Sequence, residues 1–233
     1  MEKILVITGA SRGIGLATAK LFQANGYQIV NISRSPIDSS VGQQVTADLS
    51  QADWVNASSE QIKSLIEGAD QITIVHNASL LLKDNVHAAS KDFAKIFQIN
   101  VIASQQLNEL LLPSMKSGSS IHYIGSTLSE KAVPNTLTYV TSKHATLGLM
   151  RATCQDLLNT GIHTTAVCPG FTDTEMLRDH VGNDQSILDA ISTTNAFGRL
   201  ANPEEIAETL LFAASSPVLN GAVIHANLGQ KES

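Results

Sequence analysis

Tyr139 and Lys143 stand four residues apart in a helical stretch, so their side chains leave the same face. A phenol with its ordinary pKa of about 10 exchanges protons poorly at neutral pH. An ammonium beside it stabilises the phenolate, so the spacing predicts a lowered phenol pKa suited to general acid–base work. A second chemistry-bearing pattern lies near the start. Thr8-Gly9-Ala10-Ser11-Arg12-Gly13-Ile14-Gly15 follows the apolar run Ile4–Ile7 and opens a helix. Glycines at 9, 13 and 15 let the backbone turn sharply and approach a pyrophosphate, whose charge would face the helix N-terminus. The spacing is neither G-x-G-x-x-G nor a P-loop, because no Gly-Lys-Ser/Thr follows.

Two rival chemistries have little support. Gly125-Ser126-Thr127-Leu128-Ser129 is not a nucleophile elbow, because the glycine directly precedes the serine. The seven histidines (76, 87, 122, 144, 163, 180, 225) include no H-E-x-x-H pair and no Cys/His ligand set, so no metal is expected. His122, His163 and His225 sit in strand patterns and read as core or edge residues.

The elements that must position these groups alternate along the chain. Strands are expected at Ile4–Ile7, Gln28–Ile32, Gln44–Ala47, Gln71–Val75, Ser120–Ile124, His163–Cys168 and Val223–Ala226, several apolar on both faces as buried parallel strands are. The clearest helical segments are Gly13–Asn25, Lys91–Met115, Thr138–Asn159 and Pro203–Ser215. This repetition predicts an α/β fold, a doubly wound parallel sheet with helices on both faces. No repeat or linker divides the chain, so residues 1–233 read as one domain. The polar, weakly patterned stretch 172–196 reads as a loop or lid.

Composition narrows the function classes. With 15 Lys plus Arg against 21 Asp plus Glu, the formal net charge is −6 and no basic run exists, so neither nucleic acid nor an anionic membrane is an expected partner. No apolar stretch is long enough to span a bilayer. Met1-Glu2-Lys3 leads straight into Ile4, and Cys154 and Cys168 make no disulfide framework, so the expected location is cytoplasmic.

From Ile4 to about Gly229 the chain resembles the short-chain dehydrogenase/reductase family, beginning at the glycine octapeptide. The resemblance implies a Rossmann-like single domain and an oxidoreductase. Asp48-Leu49 looks like the family's adenine-contacting acid, and His76-Asn77-Ala78-Ser79 resembles its N-N-A-G segment, with His76 and Ser79 departing. Asn100, Ser126, Tyr139 and Lys143 match the four catalytic positions. By resemblance, Tyr139 protonates the carbonyl oxygen as hydride arrives, and Lys143 acidifies it and binds the nicotinamide ribose. Ser126 hydrogen-bonds the substrate oxygen, and Asn100 holds a water that relays protons. Pro169-Gly170, with Thr172 and Thr174, resembles the loop that holds the nicotinamide. The cofactor set is then Gly9, Ser11, Arg12, Gly13, Ile14, Gly15, Ser33, Arg34, Asp48, Leu49, Asn77 and Ala78, together with that loop and the Tyr139–Lys143 pair.

In the family an acid at the end of the second strand binds the adenosine ribose hydroxyls and favours NAD. Here Ser33 stands in that place and Arg34 follows. A carboxylate would repel a 2′-phosphate, whereas Arg34, with Arg12 opposite, can pair with one. NADP(H) is therefore the expected cofactor. Leu80, Leu128, Phe171 and Met176, with Leu81, Leu82, Val133 and Leu177 nearby, are expected to line a pocket for a small apolar ketone or aldehyde, about half of these side chains going to the core instead. Glu130, Asp173 and Glu175 are expected near its mouth, against a polyanionic substrate.

Phe197-Gly198-Arg199-Leu200 and Pro203-Glu204-Glu205 resemble the 3-oxoacyl-acyl-carrier-protein reductases, a second reading for the substrate. Ser117 and Thr160 stand where those enzymes tend to place basic residues for the carrier. A non-catalytic NADP-binding redox sensor is the alternative from another class; it need not retain all four catalytic residues, and this chain has them. The resemblance further implies a homo-oligomer, a tetramer or a dimer. Val101, Leu107, Leu110, Leu111, Leu112, Leu147, Leu149 and Met150 offer apolar surface for it.

Overall fold

The computed structural model describes residues 1–230. Seven strands, β1 (Lys3–Thr8), β2 (Tyr27–Ser33), β3 (Gln43–Thr46), β4 (Gln71–His76), β5 (Ser120–Ile124), β6 (His163–Pro169) and β7 (Val223–Ala226), form one parallel sheet in the order β3-β2-β1-β4-β5-β6-β7. Each expected strand is present, within about a residue at its ends. Trp54, Ile62, Leu107, Leu111, Leu147 and Met150 pack on one face of the sheet, and Ala19, Phe22, Ile206 and Leu210 on the other. The chain leaves β1 toward β2 and β3, then returns to lay β4 on the opposite side of β1. That reversal opens a crevice beyond the carboxyl ends of β1 and β4, where open α/β sheets bind ligands.

The helices are α1 (Gly13–Ala24), α2 (Trp54–Ile66), α3 (Ser90–Phe97), α4 (Ala103–Leu111), α5 (Leu137–Asp156), α6 (Glu175–His180), α7 (Gln185–Ser192) and α8 (Pro203–Ala214). Three departures from expectation have local causes. The long helix expected over Lys91–Met115 is divided by a π turn at Gln98–Ile102, and α4 tightens to a 3₁₀ turn at Leu112–Ser114, where Pro113 cannot donate. Helix α2 carries no clear apolar period, because Ser58 interrupts its buried row of Trp54, Ile62 and Ile66. The lid carries α6 and α7, each too short for a periodic signal, with Leu188 buried beneath α7.

Strands β5 and β6 hold buried polar groups, most of them hydrogen-bonded, with His163 Nδ1 left without a partner. His122 bonds Thr165 Oγ1 at 2.7 Å and Ser120 Oγ at 2.9 Å, and His163 Nε2 donates to the Ala213 carbonyl. Both histidines are core residues, as expected, and burial pushes His122 down to about 3. His225 lies on β7 at the sheet edge, with Nε2 3.2 Å from Glu130.

Candidate active site

A cleft of about 1150 Å³ runs along the carboxyl ends of the strands, and every site residue assigned from the sequence lines it except Asn100. One end is built around the glycine loop. Gly9 and Gly13 have φ of +75° and +54°, which L side chains rarely adopt. A Cβ at Gly15 would collide with the Gly9 carbonyl and the Asn77 amide. This is a backbone cradle opening on a helix N-terminus that has no side-chain cap and no acid in its first turn, and it fits a dinucleotide pyrophosphate.

Side chains from neighbouring strands brace the cradle. Asn77 Nδ2 donates to the carbonyls of Thr8 and Gly9, both at 3.0 Å, and Thr8 Oγ1 accepts from the amides of Asn77 and Ala78. Buried Asn31 on β2 accepts from the Ala10 amide at 2.8 Å and donates to Ser33 Oγ and Gln44 Oε1. Gln44 in turn accepts from the Ile37 amide and donates to the Ser33 carbonyl, fixing the turn that carries Arg34. Asn31 and Gln44 were missed in the sequence; an asparagine among the apolar residues of β2 was the available signal. The Ser33 hydroxyl donates to the Ser35 carbonyl, so it shapes the turn. Arg12 and Arg34 are exposed on the cleft wall, and Arg34 is near enough to Asp48 to favour its charged form. Across the cleft the Thr174 methyl group lies against the Gly13 position, so the start of α6 abuts the loop.

The residues expected to be catalytic lie deeper. Tyr139 and Lys143 are on the first turns of α5, whose N-terminus is held by Asp84 accepting from the Thr138 amide and hydroxyl. Ser126 follows β5; its Oγ accepts from the Leu128 amide and its own amide donates to Ser129 Oγ, which aims the hydroxyl at the Tyr139 phenol. The expected lowering of the phenol pKa is not present. Desolvation pushes Tyr139 up to about 12 despite the Ser126 hydrogen bond. Lys143 Nζ donates to the Ile124 carbonyl at 2.8 Å and lies 5.5 Å from the centre of the tyrosine ring, and its own burial brings it down to about 8. The cleft thus holds a protonated phenol.

Asn100 sits in the π turn, away from the cleft lining. Its amide accepts from the Leu80 amide at 2.8 Å and donates to the Leu80 carbonyl and Ser142 Oγ. Both amide hydrogens are used, so this side chain clamps the segment after β4 instead of offering a donor to a relay water. None of the eight apolar residues assigned to the pocket is in the core, and all but Leu82 line the cleft. Of the expected acids only Glu175 lines it; Asp173 pairs with Arg178 at 2.7 Å, and Glu130 with His225. Lys83, Lys95 and His180 are cleft residues the sequence reading missed, since they lie on segments without a motif.

Comparison with known proteins agrees with this geometry. Residues 9–231 match a family model described as Enoyl-(Acyl carrier protein) reductase. Carbonyl reductase family member 4 of Xenopus laevis is 27% identical, with 96% of each chain covered. The 3-oxoacyl-[acyl-carrier-protein] reductase FabG of Vibrio cholerae is 24% identical, with 97% of this chain and 96% of that protein covered. A solved short chain dehydrogenase family protein from Francisella tularensis superposes with a TM-score of 0.87 at 25% identity, covering 98% of both chains. The ligand-free aldohexose dehydrogenase of Thermoplasma acidophilum shares the fold, with a TM-score of 0.89 at 24% identity over 98% of this chain and 93% of its own. With nearly its whole length matched and the dinucleotide cradle set beside a tyrosine–lysine pair, the chain belongs to the short-chain dehydrogenase/reductase family of oxidoreductases, which use a nicotinamide cofactor.

Proposed function

We propose that the protein is an NADPH-dependent carbonyl reductase acting on small apolar ketones or aldehydes, with the reverse alcohol oxidation at high pH. The observation that carries this reading is the protonated Tyr139 phenol beside Ser126, in a cleft whose other end is a glycine cradle flanked by Arg12 and Arg34. The bound cofactor would supply the hydride. Ser126 and Tyr139 would both donate hydrogen bonds to the substrate oxygen, and Tyr139 would release its proton there as negative charge develops. Lys143, buried next to the phenol, would hold the nicotinamide ribose and stabilise the phenolate left behind. Arg34 and Arg12 would pair with the 2′-phosphate, Asp48 and Leu49 would meet the adenine, and Pro169, Gly170, Thr172 and Thr174 the nicotinamide.

The apolar lining supports a substrate without many hydroxyls. The stretch that resembles the acyl-carrier-protein reductases has a structural role that accounts for the likeness. Arg199 makes a bidentate pair with Glu205, both bonds at 2.7 Å, and Glu205 also accepts from the Asn202 amide to cap α8. That lock organises a helix start.

The proposal includes one catalytic unit per chain, a cytoplasmic setting and self-association. The support for self-association is narrower than the sequence implied. Leu107, Leu111, Leu147 and Met150 are buried in the protomer's own core, whereas Ile102 and Leu158 are 44% and 63% exposed and Leu110, Leu112 and Leu149 are partly covered. Light scattering giving 24.8 kDa would reject an oligomer. The function itself is tested by NADPH oxidation at 340 nm against a panel of ketones, aldehydes and diketones, with NADH in parallel. Equal use of both cofactors would reject the NADPH preference, and no oxidation with any carbonyl would reject the reductase.

A further inference from the structure

Ser79 stands two residues beyond the Asn77 brace, where the related segment N-N-A-G ends in glycine. Its hydroxyl is buried and has no hydrogen-bond partner in the resting protein, a condition that costs free energy unless function requires it. The segment that carries it cannot drift. Thr8 Oγ1 holds the amides of Asn77 and Ala78 on one side, and the Asn100 amide clips both the amide and the carbonyl of Leu80 on the other. Ser79 shares the cleft wall with Ser126 and Tyr139, and its hydroxyl bears on the phenol in the direction that favours ionisation. Its oxygen is sealed from water although the residue borders the cleft.

The environment shows why such a donor is needed. The groups around the phenol are Lys143 on α5, Cys168 on β6, Ser126 after β5 and Ser79 after β4. Desolvation and the Cys168 thiol oppose a phenolate, and the Lys143 ammonium has a hydrogen committed to the Ile124 carbonyl. Among the described residues the two serine hydroxyls are the hydrogen-bonding groups that favour the charge, beside the Lys143 ammonium, and Ser126 is also needed by the substrate oxygen.

We propose that Ser79 is a positioning residue for proton transfer, its hydroxyl turning to donate a hydrogen bond to the Tyr139 oxygen once that oxygen has lost its proton. In reduction the phenol O–H bond breaks as the proton goes to the substrate oxygen, and the Ser79 hydrogen bond forms to the resulting phenolate; Ser79 itself loses no proton. Alcohol oxidation runs the same exchange backwards, starting from the phenolate. The role rests on the carbonyl-reductase reading given above.

The test compares Ser79→Ala and Ser79→Thr with the unaltered enzyme. Losing the donor should move the pH limb of alcohol oxidation upward by about half to one pH unit, making the reaction about three- to tenfold slower on that limb and close to normal well above it. The reduction rate should correspondingly persist to higher pH. Ser79→Thr, which keeps a hydroxyl, should restore the profile. An unchanged profile in Ser79→Ala, or a loss of equal size at every pH, would overturn the role. The Tyr139 resonance of 13Cζ-tyrosine-labelled protein, identified with Tyr139→Phe, supplies a readout that needs no turnover. Ionisation moved upward in Ser79→Ala while no carbonyl is reduced would retain the Ser79 contact and reject the reductase reading. Ionisation unmoved would reject the contact whatever the enzyme reduces.

Discussion

The two ends of the cleft are built on different principles. At the glycine-loop end, proposed for the cofactor, the surface is largely backbone, held by amides and hydroxyls from the ends of neighbouring strands, as Asn31, Asn77 and Thr8 show. At the apolar end, proposed for the substrate, it is side chain: Leu80, Leu128, Phe171, Met176 and Leu177, drawn from segments far apart in sequence. Backbone recognition fixes residue types at set offsets, because glycine alone tolerates the required φ and the close approach. Side-chain lining fixes only size and polarity. A change at the cofactor end, or in the proton-transfer group between the ends, should therefore affect every substrate alike, whereas a change at the far end should depend on the substrate offered.

The largest effect should come from the group between them. Tyr139→Phe removes the only proton the phenol can give and should lower kcat by about 10²–10⁴-fold for every carbonyl, with NADPH affinity nearly intact. Single-turnover reduction and cofactor titration measure the two quantities; retention of most activity would remove Tyr139 from its role.

Lys143→Met should abolish most activity and at the same time stabilise the ligand-free fold. Burial lowers the folded-state pKa of Lys143 from 10.5 to about 8, so between those values the unfolded chain binds more protons than the folded one. Stability then rises with pH across that window, and the cost of holding the ammonium is greatest below about pH 8. The methionine should gain about 1–2 kcal/mol at pH 7, offset in part by the lost bond to Ile124, and the gain should shrink toward pH 10.5. Urea melts of both proteins at pH 7 and pH 10 read this; a gain that grows with pH would contradict it.

The same contrast explains what the sequence made legible. The strands and the glycine loop could be read because Val- and Ile-rich runs and glycine spacing are local signals. The tyrosine–lysine pair was legible as geometry, but its protonation was not. Helical spacing brings Lys143 near the ring, while desolvation, with Cys168 on β6, reverses the expected pKa, and Nζ is engaged by the Ile124 carbonyl on β5; both depend on how α5 packs on the sheet. Asn100 was legible as a position and not as a contact, since its partner Leu80 lies twenty residues away across the fold. The cleft lysines, Lys83 and Lys95, and the short lid helices left no pattern at all.

At the cofactor end, Arg34→Asp should lower the preference for NADPH over NADH by about 10–100-fold for every substrate tested. The aspartate removes a charge-assisted pair and puts a carboxylate beside Asp48, where a 2′-phosphate would be repelled and ribose hydroxyls accepted. Ratios of kcat/KM for the two cofactors, measured with two dissimilar ketones, decide it; a ratio that moves for one ketone only would place Arg34 outside the cofactor site.

The smallest effect should come from Met176. It is 38% exposed on α6, lines the cleft and makes no polar contact that the fold depends on, so Met176→Ala leaves little cavity behind. Its stability cost should stay within about 0.5 kcal/mol, as for a surface change. A thioether over an apolar pocket contributes contact area, and the loss of a few methylene-sized groups there shifts discrimination between substrates by about tenfold or somewhat more. Bulky apolar ketones that reach α6 should therefore lose kcat/KM, chiefly through KM, while the smallest ketones are nearly unaffected and NADPH affinity stays constant. Steady-state kinetics over an alkyl-ketone series of increasing length gives the slope of this dependence. A uniform loss across the series, accompanied by weaker NADPH binding, would mean that α6 belongs to the cofactor end, through its abutment of Thr174 on Gly13, and that the division between the ends of the cleft falls farther along the lid.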